Sequence, residues 1–167
     1  MRLLFEMDRK DYDPKGKAFA RPSVRGIIFR DGKIAMVHSL KYDYYKFPGG
    51  GIEEGESLTQ ALAREVAEES GLQVIPKSIR EYGLVHRAQK GDREDIFIQD
   101  NYYFLCEAQQ EVQAQQLDDY EAEEHFTLEF VDPEQAIFIN RYVDHGPIDQ
   151  TMLEREARVL ELLKDER

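Results

Sequence analysis

The 167-residue chain has a single cysteine, Cys106. One thiol excludes an intrachain disulfide and any zinc site built on cysteines. It lies in the apolar run YYFLC, where a buried, inert side chain is expected. Long hydrophobic runs are also missing. No stretch approaches the roughly 18 apolar residues of a membrane-spanning helix. The N-terminus, MRLLFEMDRKDYD, turns charged too early for a signal peptide, so the expected location is the cytoplasm. Positive charge is scarce: 22 basic against 34 acidic side chains give a formal net charge of −12. Such a balance argues against an extended nucleic-acid surface, though not against a small nucleotide. There is no internal repeat, and the one biased tract is QQEVQAQQ at 109–116, read as a loop or hairpin tip.

The length and the 41% hydrophobic content fit one soluble domain over 1–167, long enough for a layered core. Residues 1–19 read as an edge strand or an arm. RPSVRGIIFR (21–30) and KIAMVHS (33–39) read as a hairpin about the turn Asp31-Gly32. Residues 41–45 read as a polar and aromatic loop, and Pro48 ends strand pairing. Further strands are expected from 72, over 78–89, over 96–106 with a bulge at Asp100-Asn101, and over 125–131. Asp132-Pro133 opens a short helix, and a last helix runs from about 147 to 164.

The most informative segment is GGIEEGESLTQALAREVAEESGL, Gly50–Leu72. A glycine-rich turn leads into an expected helix carrying Glu65, Glu68 and Glu69. On a helical wheel, Leu58, Ala61, Leu62 and Val66 form the core side. Glu65 and Glu69 fall within that side and Glu68 at its border, opposite Thr59, Gln60, Ala63, Ala67 and Ser70. An ordinary surface helix keeps its acids away from the apolar stripe. Ionised carboxylates near a core are costly unless paired or metal-bound, and hard cations such as Mg²⁺ take oxygen ligands together with substrate phosphates. A solvated acidic face with ion pairs to Arg64 is the plainer alternative, but it does not explain the inward placement.

These residues resemble the Nudix box: Gly50, Glu56, Arg64, Glu65, Val66, Glu68, Glu69, Gly71 and Leu72 match every specified position without a gap. The resemblance implies an α/β/α sandwich with a mixed sheet. It implies a hydrolase of the diphosphate linkage in a nucleoside diphosphate joined to another group, with Mg²⁺ or Mn²⁺ as cofactor. Carried over by position, Glu65, Glu68 and Glu69 are metal ligands, with the backbone carbonyl of Gly49 or Gly50 completing the shell. Arg64 orients the glutamates and Glu56 is its structural partner. The base is one of these glutamates or one outside the box. A fourth carboxylate is expected among Glu121, Glu123 and Glu124, of which Glu124 is preferred.

Arg25 and Tyr45 are the candidate substrate-binding residues. Tyr42, Tyr44, Tyr102 and Tyr103 are further stacking candidates, although aromatics in strands more often pack in cores. His86 and Arg87 are candidates for a terminal phosphate, with a cross-strand surface pair as the commoner arrangement. Signatures for NADH, ADP-ribose, dinucleoside polyphosphate and coenzyme A subgroups are absent. The main alternative function is a non-catalytic nucleotide sensor. An isomerase would need its cysteine in a different setting, and an RNA-end hydrolase conflicts with the acidic balance. The resemblance allows a homodimer, with the N-terminal arm or C-terminal helix at its interface.

Overall fold

A computed structural model describes all residues, 1–167. Ten strands and four α-helices follow one another as β1 (Leu3–Asp8), β2 (Ala18–Ala20), β3 (Ser23–Ile27), β4 (Phe29–Arg30), β5 (Lys33–Ser39), β6 (Tyr44–Lys46), β7 (Gly49–Gly51), α1 (Leu58–Ser70), β8 (Arg80–Lys90), β9 (Ile96–Leu105), α2 (Asp119–Glu123), β10 (Phe126–Val131), α3 (Pro133–Tyr142) and α4 (Gln150–Asp165).

The larger sheet has the order β1-β8-β9-β3-β7, with β2 also pairing along β9. It is mixed: β1 and β3 run parallel to β8 and β9, while β8–β9 and β3–β7 are antiparallel. The smaller sheet has the order β10-β5-β4, with β6 also on β5. The chain crosses between the sheets at Ile28. It then turns through Asp31 and Gly32, both at positive φ, the backbone that a two-residue hairpin requires. One core lies under α1 and joins Val24, Ile28, Leu62, Val66, Leu72 and Phe104. The other lies under α3 and α4 and joins Met36, Phe47, Val85, Tyr103, Val159 and Leu160. The expected α/β/α sandwich is the observed one.

Several local expectations need correction. Residues 44–46 form a strand rather than a loop, because Val37, His38 and Ser39 supply a pairing edge. Pairing resumes after Pro48, with β7. The strand expected from 72 shrinks to one bridge, Val74 with Ala108. The pairing of β9 is regular through Asp100 and Asn101; the register shift falls in β8, between Glu81 and Gly83. The last helix starts at Gln150, where Asp149 accepts a hydrogen bond from the Thr151 amide. No helix is long and apolar enough to cross a membrane.

Cys106 is 8% exposed, and burial pushes its thiol up to about 12. Alkylation of the folded protein by iodoacetamide at pH 8 should therefore be negligible over an hour and complete in denaturant, as read by mass spectrometry. Rapid labelling of the folded protein would contradict this packing.

Candidate active site

Strand β7 pairs antiparallel with β3, placing Gly50 opposite Val24. A Cβ on Gly50 would stand 2.2 Å from Glu65 Oε2, so only glycine lets the helix carboxylate lie against this backbone. Helix α1 begins with a capping box: Ser57 Oγ accepts from the Gln60 amide, and Gln60 Oε1 accepts from the Ser57 amide. It ends at Gly71, whose φ of 80° is the left-handed conformation that closes a helix. Caps at both ends fix the rotation of the helix, and with it the direction of its acids.

Arg64 holds Glu56 with two hydrogen bonds, Nε to Oε2 at 2.6 Å and Nη2 to Oε1 at 2.8 Å. Its Nη1 also donates to Glu65 Oε1 at 2.7 Å and reaches Glu68 Oε2 at 3.4 Å, while Nη2 donates to the Gly51 carbonyl. One guanidinium thus ties the glycine turn, the loop before the helix and two helix carboxylates together.

The Arg64 hydrogen bonds, aided by the Glu53 amide, hold the Glu56 carboxyl down to about 2 from its ordinary 4.5. A depressed carboxylate stabilises the fold fully above its unfolded pKa and loses that contribution as pH falls through the folded one. The clamp should therefore weaken only between pH 4.5 and about 2. Carboxyl carbon shifts of Glu56 followed by NMR should give a midpoint near 2; an ordinary midpoint would contradict the clamp.

Glu69 is 1% exposed. Its Oε1 accepts from the Gly49 amide at 3.2 Å. Lys46 Nζ lies 2.7 Å from its Oε2, a close buried ion pair. Burial pushes the Glu69 carboxyl up to about 7 against the pull of Lys46. The Glu65 carboxyl is likewise raised, first by burial. Glu68, with its side chain 39% exposed, is the outermost of the three.

No three acidic, histidine or cysteine side chains converge tightly enough here to form a ready metal cage. Arg64 occupies Glu65 and Lys46 occupies Glu69 instead. The donor set nevertheless fits a hard divalent cation. The acids that line the cleft beside Gly50, namely Glu65, Glu68, Asp118 and Glu121, offer only oxygen ligands, and the missing Cβ of Gly50 leaves the space in which the Glu65 carboxylate lies.

The remaining candidates divide. Arg25, on β3, is 8% exposed and lines the cleft with Gly50, Glu65 and Glu68. Tyr45 does not reach it. Alternation along β6 sends Tyr44 and Lys46 toward a neighbouring cavity and Tyr45 the other way, stacked on His38 at 4.3 Å. Glu124 is also turned away: its Oε1 accepts from Ser39 Oγ at 3.0 Å and from Tyr44 at 2.8 Å. The carboxylate that lines the cleft from this segment is Glu121, 9% exposed. Its backbone is set by a second capping box, with Asp118 as the cap. The spacing Asp118-x-x-Glu121 was the signal available for it. Lys46 carried no signal, since its burial follows from the strand at 44–46.

The NUDIX domain signature matches residues 20–154. The chain is 33% identical over 99 residues to an RNA pyrophosphohydrolase of Baumannia cicadellinicola subsp. Homalodisca coagulata, an alignment spanning 52% of this chain and 60% of that protein. It is 41% identical over 56 residues to an 8-oxo-dGTP diphosphatase of Buchnera aphidicola subsp. Schizaphis graminum (strain Sg), spanning 31% of this chain and 43% of that protein. The chain thus spans less than two thirds of the length of these curated relatives. Among solved structures, a NUDIX hydrolase from Nitrosomonas europaea superposes with a TM-score of 0.59 at 17% identity, covering 84% of this chain and 90% of that one, a likeness of fold alone. With the domain signature extending over most of its length, the chain belongs to the Nudix family.

Proposed function

We propose that this protein is a metal-dependent pyrophosphohydrolase that cleaves the diphosphate linkage of a nucleoside diphosphate joined to another group. The observation that carries the reading is the convergence of carboxylates at the glycine turn: Glu65, Glu68 and Glu121 line the cleft beside Gly50, and the buried Glu69 accepts from the Gly49 amide. Relatives named for diphosphatase and pyrophosphohydrolase activity support the same class.

Glu65, Glu68 and Glu69 would hold the cation, with the Gly50 carbonyl as a further oxygen. A bound Mg²⁺ or Mn²⁺ supplies neutralisation of diphosphate charge and acidification of water. Arg64 keeps Glu65 and Glu68 in register with the glycine turn. Arg25 and Lys46, on the same cleft wall, meet the phosphate oxygens. We assign the proton-accepting role to Glu121 rather than Glu124, because Glu121 shares the cleft with Glu65. Protein groups fixed in place before reaction need little reorganisation during it. The compartment this reading assigns is the cytoplasm.

The test is a phosphate-release panel with Mg²⁺ or Mn²⁺, covering nucleoside triphosphates, nucleotide sugars, ADP-ribose, dinucleoside polyphosphates and capped RNA. At least one compound should be cleaved, and a chelator should stop the reaction. Tight nucleotide binding without any cleavage across the panel would move the assignment to a sensor.

A further inference from the structure

Next to the carboxylate cleft lies a cavity of about 570 Å³, and Arg21, Arg25, Lys46, Gln99 and Tyr120 line both. Seven basic and three acidic side chains line this cavity, on a chain whose net charge is −12. The scarce positive charge of the protein is therefore concentrated here, which favours an anionic ligand.

Burial makes the arrangement more demanding. Arg25, Arg87 and Arg155 are 8%, 5% and 1% exposed, and each has a buried Nε with no hydrogen-bond partner. Arg87 pairs with Asp149 at 2.7 Å and Arg155 with Glu156 at 3.2 Å. Arg25 donates only a long bond, 3.4 Å, to the Phe47 carbonyl. Gln99 Oε1 accepts from Arg87 at 3.4 Å and from Arg155 at 3.2 Å, so two guanidiniums converge on one neutral oxygen. Burial, and then the nearby Arg155, push the Arg87 guanidinium down to about 10. Buried guanidiniums without full compensation are costly, and a bound anion removes that cost. Asp149 balances Arg87 and Glu156 balances Arg155, which leaves Arg25 and the neighbouring basic lining as the positive surplus, for which a phosphate is a matching group. Phe19 and Tyr120, both about half exposed, give the same cavity flat surfaces for a base.

We propose that this cavity is a second anion site, in which Arg87 and Arg155 hold a phosphate that the substrate carries away from its scissile diphosphate. The inference rests on the hydrolase reading for the position of the scissile group, and it narrows the substrate class to nucleotides bearing an additional phosphate.

The test is calorimetric binding to the metal-free protein of three probes: inorganic phosphate, AMP and adenosine 3′,5′-bisphosphate. The bisphosphate should bind at least about tenfold tighter than AMP, and Arg87→Gln should erase that gain. Asp149→Asn keeps the helix cap and removes the carboxylate that competes for Arg87. It should tighten the bisphosphate, so the test does not depend on Arg87→Gln folding. Equal affinity for AMP and bisphosphate, a gain that survives Arg87→Gln, or weaker binding by Asp149→Asn would overturn the proposal. Inorganic phosphate bound through Arg87 with no gain for the bisphosphate would make this a free-anion site and overturn the substrate assignment. These measurements need neither metal nor turnover. Absent hydrolysis with a retained bisphosphate preference would count against the hydrolase reading alone, and hydrolysis without that preference against the anion site alone.

Discussion

Glu69→Gln is expected to lower kcat by about a thousandfold or more, with the fold intact. The estimate treats the loss as at least that of one preorganised electrostatic group. Glutamine keeps the volume of the side chain and still offers an acceptor to the Gly49 amide, which Glu69 Oε1 now serves at 3.2 Å. What it removes is the charge that would hold a divalent cation, and Lys46 is left as an ammonium without its carboxylate. The effect should therefore appear in turnover and metal dependence while the circular dichroism spectrum stays unchanged. A sensor would respond differently: nucleotide affinity would change and there would be no turnover to lose. Retention of more than about a tenth of wild-type kcat would remove Glu69 from the chemistry.

The largest stability effect is expected away from the cleft. Glu156 is fully buried on α4. Its Oε1 accepts from the Phe47 amide and from Arg155 Nη2, both at 3.2 Å, and its Oε2 accepts from Tyr103 at 2.8 Å. Glu156→Ala would leave a buried guanidinium, a phenol and a backbone amide without their partner. Breaking a buried pair in this way costs about 3–5 kcal/mol. In a domain of this size that corresponds to a fall in Tm of roughly 10 °C. Glu156→Gln, which keeps an acceptor, should cost less than the alanine variant. Chemical denaturation of both variants measures the difference. A loss below about 1 kcal/mol for Glu156→Ala would mean that the pair is solvated.

The helix of the glycine-rich segment was legible because several levels agreed. The apolar side at Leu62 and Val66 and the glycine at Gly71 agree on one rotation, and that rotation turns Glu69 inward. One wheel position differs: Ser70, on the outward side of the wheel, is buried, and its hydroxyl is satisfied by the Val66 carbonyl. The layered fold was legible at the coarse level. Its short strands were not, since β6 exists only through pairing with β5.

That same missed strand explains the error at Tyr45. A loop reading gives Tyr44 and Tyr45 equal claim to the site, whereas strand alternation separates them. Alternation also splits His86 from Arg87. His86 meets Asp100 across the sheet at 2.7 Å, the surface pair anticipated, while Arg87 is buried in the cavity wall. Glu121 rather than Glu124 lines the cleft, because the short helix at 119–123 and its capping box set the direction of each acid. The Arg155–Glu156 pair had no sequence signal, because adjacent opposite charges on a helix ordinarily face water.

The most direct test of the central claim is a Mn²⁺ titration followed by electron paramagnetic resonance, on wild type and on Glu69→Gln, each with imidodiphosphate present. The account predicts saturable binding by the wild type and an affinity at least about tenfold weaker in the variant. Equal affinity in the two proteins would place the metal elsewhere and contradict the assignment of this cleft.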